Sequence, residues 1–145
     1  MRSQILTRDQ ETTYCLVFDS GDEVVSTLEA FAREHGLTAA RFTAIGAFSE
    51  AKLGYFDWER KQYEEIPVAE QVEVLTLAGD IALKEGEPAV HAHVVVGRRS
   101  GEARGGHLLE ARVRPTLELV LVESPAHLRK KHDPETGLAL IAPPA

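Results

Sequence analysis

One cysteine, one methionine and one tryptophan stand among 145 residues. The lone thiol, Cys15, cannot close an internal disulfide, so packing has to hold the fold, and a reducing, cytoplasmic setting is expected. Positive charge is scarce too: 16 Lys and Arg against 23 Asp and Glu leave a net charge of −7 at pH 7. Such a surface repels phosphate, and tight non-specific nucleic-acid binding is disfavoured. No window approaches the roughly 18 uninterrupted apolar residues of a membrane span, and the first residues lack the apolar core of a secretion signal. Repeats, low-complexity linkers, a Cys-x-x-Cys pair, a Gly-x-Ser-x-Gly elbow, a phosphate loop and a dinucleotide fingerprint are also missing. Their absence leaves no sequence warrant for dithiol redox chemistry, serine hydrolysis of that type or nucleotide binding.

What is present suits one packed domain. Hydrophobic residues make up 43% and charged residues 27%, ordinary values for a globular chain, and the length fits a single domain over 1–145 with its core at about 12–141. Residues 13–18 are rich in β-branched and aromatic side chains and stop at a turn cluster, which predicts a strand. Ser20 with Glu23 three residues on reads as a capping box, and Val24, Leu28, Phe31 and Ala32 recur at helical spacing up to Gly36, a C-terminal cap. Six further apolar runs, 41–47, 52–57, 72–83, 89–97, 103–109 and 116–123, predict strands. The connectors at 84–88 and 98–101 have hairpin length. The expected fold is therefore α+β: a mainly antiparallel sheet packed with one long helix and short helical segments, with some sheet surface left for another subunit to cover.

The run 89–97 carries the chemistry. On a strand, Val90, Ala92, Val94 and Val96 form one apolar face, and His91 and His93 share the other, about 7 Å apart at the backbone. Gly105-Gly106-His107 follows through the hairpin connector, so His107 can return beside them. A glycine pair inside a strand implies a bulge, a positive φ or close backbone approach, and here a bend is expected to aim His107. Three neutral imidazoles suit zinc or a similar divalent metal and leave one coordination position open. His35 at the helix end reads as a partner of the helix dipole, and His127 and His132 lie in a charged surface run. Trp58, Tyr55 and Phe56 read as core or interface, and Arg112-Val113-Arg114-Pro115 lacks the glycine of a minor-groove hook.

The segments 37–48, Leu75 to Ile81, Pro88-Ala89-Val90-His91-Ala92-His93, Gly105-Gly106-His107-Leu108 and Asp133 to Leu138 resemble the PPC family, the plants and prokaryotes conserved domain. The resemblance runs in order over about 13–140, with the His-x-His and Gly-Gly-His motifs its most specific part. It implies a homotrimer of α+β subunits, a metal on His91, His93 and His107, and the DNA-binding label the family commonly carries. With no hook and an acidic balance, this chain is expected to bind DNA weakly or indirectly at most. The function expected is a homotrimeric binding module, with a small-molecule ligand among its partners and no membrane. The alternative is a metal-dependent enzyme acting on a small molecule, for which Glu73, Glu102, Glu110 and Glu118 are candidate bases.

Overall fold

The computed structural model describes residues 1–8 and 11–142. Alternation of apolar and polar side chains builds strand β2 (Thr12–Phe18), with Tyr14, Leu16 and Phe18 buried. Strand β1 (Arg2–Arg8) pairs antiparallel with it, Arg2 opposite Val17, upstream of the expected start of the core.

Helix α1 (Val24–Glu34) follows and buries Val24, Leu28, Phe31 and Ala32 against the sheet. Each such large side chain taken from water contributes about 1.5–3 kcal/mol. Its N-cap is Glu23, not Ser20: the Glu23 carboxylate accepts from the backbone N–H groups of Val25 and Ser26 at 3.1 and 2.7 Å. The acceptor is selected by where the chain leaves the sheet. Glu23 is bridged to Arg112, and its carboxylate also accepts from Ala111 N–H at 3.4 Å, so it is held at the helix mouth. The C-cap is His35, followed by Gly36 at φ +64. With 11 residues this helix is short, the expected short helical segments do not occur among the described residues, whose connections are turns and bends, and the chain is mainly β.

Four of the expected strands merge. The runs 41–47 and 52–57 belong to β3 (Ala39–Asp57), and 103–109 and 116–123 belong to β7 (Ala103–Glu123). The intervening polar or glycine residues are register shifts, not breaks: β3 and β7 pair from Ala40 opposite Glu123 to Gly54 opposite His107. β4 (Gln62–Val68), where the sequence reading gives no strand, pairs with the end of β3 and tolerates Pro67. β5 (Val72–Lys84) and β6 (Glu87–Gly97) form a hairpin through Glu85 and Gly86, both at positive φ. The short strands β8 (Arg129–His132) and β9 (Ala139–Ile141) end the order, β8 running parallel to β5.

Pairing closes on itself, because β3 pairs with β5, β5 with β6, β6 with the start of β7, and β7 with β3. The interior of this circuit and the α1 contact share one apolar cluster, including Phe42, Phe48, Leu77, Val94, Leu117, Leu119 and Leu121. The segment 112–115 lies within β7, with Val113 buried. The outer face carries Ile45, Leu75, Val95 and Val120 at 60%, 54%, 37% and 43% exposure, an unusual concentration of large apolar side chains facing solvent. Among the described residues no helix is long and apolar enough to cross a membrane.

Candidate metal centre

β6 presents His91 and His93 on one face, while Ala92, Val94 and Val96 on the other are buried. β7 returns antiparallel and sets His107 directly opposite His93. Opposed residues of an antiparallel pair share a face, so the third imidazole joins the other two. The ligand atoms of His91, His93 and His107 all lie within 4.8 Å of one another, His91 and His107 partly buried and His93 exposed. Ring centres are 5.2 to 5.5 Å apart. A tetrahedral zinc with nitrogens at about 2.0–2.1 Å needs them about 3.4 Å apart, so the rings would have to draw closer to hold one.

The Gly105-Gly106 pair does not bend the strand. Val94 faces Gly106 and Val95 faces Gly105 in regular register, and neither glycine has a positive φ. The reason for glycine is close approach: a Cβ at Gly106 would stand 2.8 Å from the Gly54 carbonyl oxygen of β3. Gly54 is itself opposite His107, and a Cβ there would meet the Tyr63 ring at 2.8 Å. Absent side chains thus let β3, β6 and β7 close up and let Tyr63 of β4 lie flat on His107, ring centres 4.5 Å apart. The Tyr63 hydroxyl lies 3.5 Å from His107 Nδ1.

Beneath His91 lies a carboxylate that motif reading missed. Asp80 of β5 is opposite His91 in register, and its Oδ2 is 3.4 Å from His91 Nδ1. The other oxygen, Oδ1, is buried and faces Lys130 Nζ of β8 at 3.2 Å, with no well-directed hydrogen bond among the described residues. The only sequence signal was an aspartate in an apolar run, and its partners depend on register. Tyr63 and Lys130 carried no signal at all.

These surroundings favour the neutral form of His93 and His107. Burial, reinforced by the charges of His91, His93 and Lys130, pushes His107 down to about 4. Burial and the neighbouring His91 lower His93 as well. For Asp80, burial acts upward but is outweighed by the His91 contact and the Lys130 charge, which hold its carboxyl below the ordinary range. Burial raises the Tyr63 phenol. A neutral imidazole has a free lone pair, and three imidazoles with nitrogens this close together fit a divalent cation.

The remaining candidates stay apart. His35 Nδ1 is 3.0 Å from the Phe31 carbonyl oxygen and its ring stacks on Phe31, and His127 Nδ1 is 2.5 Å from Thr38 Oγ1. Glu73, Glu102, Glu110 and Glu118 are exposed, Glu102 pairing with Arg98 at 3.1 Å. Among the described residues no carboxylate completes the histidine group as a further ligand.

Comparison with known proteins places this arrangement. A plant- and prokaryote-conserved protein from Pyrococcus horikoshii is 35% identical over 92% of each chain, with a TM-score of 0.86. A metal-containing protein from Archaeoglobus fulgidus is 33% identical over 99% of each chain, with a TM-score of 0.85. A candidate DNA-binding protein from Ralstonia eutropha is 36% identical over 90% of this chain and 91% of its own, also with a TM-score of 0.85. No match is found among curated proteins. The model of the Plants and Prokaryotes Conserved domain matches residues 6–125, which take in the whole of β2 to β7 and all three histidines, so the chain belongs to the Plants and Prokaryotes Conserved domain family.

Proposed function

We propose that this protein is a cytoplasmic homotrimeric binding module, one domain over 1–145, in which His91, His93 and His107 hold a divalent metal, zinc by preference. The observation that carries the reading is the convergence of three ligand nitrogens within 4.8 Å from two adjacent strands. The metal-containing relative of similar fold supports it. Three protein ligands leave a fourth position for a small-molecule ligand or a partner side chain. Asp80, the carboxylate in contact with the group, is tied to His91 and Lys130, which suits a holding site better than a general base.

The trimer is supported by the outer apolar face. One cross-strand row runs from Cys15 through Val120, Thr43, Ala78 and His93 to His107, so the apolar patch around Val120 is continuous with the histidines. A second copy seated there would remove Ile45, Leu75, Val95 and Val120 from water. Relatives described as candidate DNA-binding proteins support DNA as a partner, but the net charge of −7 makes direct binding weak at physiological salt.

The test is elemental analysis and zinc titration of untagged protein beside His93→Ala and His107→Ala. Stoichiometric zinc in the wild type, lost in both variants, is expected; full retention by both, or no zinc in the loaded wild type, overturns the site. Light scattering decides assembly, where a monomer at micromolar concentration removes the trimer. A gel shift of nanomolar affinity at about 150 mM salt would overturn the weak-DNA reading.

A further inference from the structure

We propose that Asp80 is a positioning residue that fixes the His91 ring and its tautomer, and that Lys130 anchors Asp80 from β8; this rests on the metal reading above. Asp80 Oδ2 is 3.4 Å from His91 Nδ1, within ion-pair reach and inside the range that a small ring rotation closes to a hydrogen bond. A carboxylate accepts only, so the proton belongs on His91 Nδ1 and Nε2 is left as the lone-pair atom for the cation.

Lys130 has no other role in view. Its side chain is 6% exposed, and it ends 3.2 Å from the buried Asp80 Oδ1. A lysine is rarely taken that far from water unless it is paired, and the carboxylate it meets already faces a proposed ligand. β8 is held in place independently: Leu83 N–H donates to the Leu128 carbonyl at 2.8 Å, and Ala142 N–H to the Arg129 carbonyl at 2.9 Å. The chain Lys130, Asp80, His91 therefore ties the C-terminal strands to the histidine group. Without Lys130 the Asp80 carboxylate would be free to turn from His91 toward solvent or toward the metal itself.

The decisive variant is the double Asp80→Ala/Lys130→Met, because it removes one negative and one positive charge and leaves the net charge unchanged. Ring nitrogens of His91 are read by nitrogen-15 NMR in metal-free protein, and zinc affinity by competition with a chelator. In the wild type the proton sits on Nδ1; in the double variant that preference is lost and zinc binds about 10- to 100-fold more weakly. Asp80→Asn keeps an acceptor and restores the tautomer, which a role in folding alone does not explain. Lys130→Met alone weakens the tautomer preference and has no further effect once Asp80 is alanine. Wild-type tautomer and wild-type zinc affinity in the double variant overturn the proposal, as does a changed tautomer with unchanged affinity. If the wild type takes no zinc, the metal reading fails, and the NMR arm still decides whether Asp80 sets the His91 tautomer.

Discussion

The two ends of β7 sit in the same ladder and do different work. Toward its end, Leu117, Leu119 and Leu121 are fully buried between β2 and β3, each strand supplying large apolar side chains. At its start, Gly105, Gly106 and His107 run between β6 and β3, where small residues let backbones approach and a ring lies against Tyr63. The first end is held by area taken from water, a term indifferent to direction. The second depends on clearances of a few tenths of an ångström and on which nitrogen faces which oxygen. A fold can absorb change at the first end in proportion to the volume lost, whereas the second fails by displacement.

The contrast can be broken from either side. Leu119→Ala at the buried end should lower unfolding free energy by about 2–5 kcal/mol in denaturant melts, with zinc stoichiometry kept in whatever fraction remains folded. Gly106→Ala forces a methyl against the Gly54 carbonyl oxygen at 2.8 Å, so strands must part. It should lose about 1–3 kcal/mol and also weaken zinc binding, the joint effect the leucine variant lacks. Equal zinc affinity in the two folded variants would erase the distinction.

Acid sharpens the comparison further. In the metal-free protein His107 sits near 4, below the ordinary 6.5 of an unfolded imidazole, so between those values the unfolded chain binds a proton that the folded one refuses. Stability from this group is therefore complete above about 6.5 and falls as pH drops toward 4. His107→Gln should flatten that part of the melting profile, and Leu119→Ala should leave its slope unchanged. The smallest expected effect is at the helix: Glu23→Ala removes the cap contacts to Val25 and Ser26 and should cost about 0.5–2 kcal/mol in the same melts, without moving zinc affinity.

The apolar runs inside β2, β3, β5, β6 and β7, the helix and the histidine motif could be read from periodicity, whereas β1, β4, β8 and β9 could not. The alternation of Val90, Ala92, Val94 and Val96 against His91 and His93 left few readings, and a turn of hairpin length at 98–102 brings β7 back alongside. The cap was misread because Ser20 and Glu23 form a local pattern, whereas the residue that caps is the one β7 holds in place. The expected bend at Gly105-Gly106 was misread for a similar reason, since glycine reports several needs and only the neighbouring Gly54 carbonyl shows which one applies.

By itself the sequence determined the side-chain periods, the charge balance and the pairing of two histidines on one strand face, because those follow from chain geometry and composition. Tertiary structure decided that β3 and β7 run unbroken through their register shifts and that Tyr63, Asp80 and Lys130 surround the histidines. Residues 44, 11 and 50 positions apart meet there only through register, and register is fixed by how all the strands jointly bury their apolar faces.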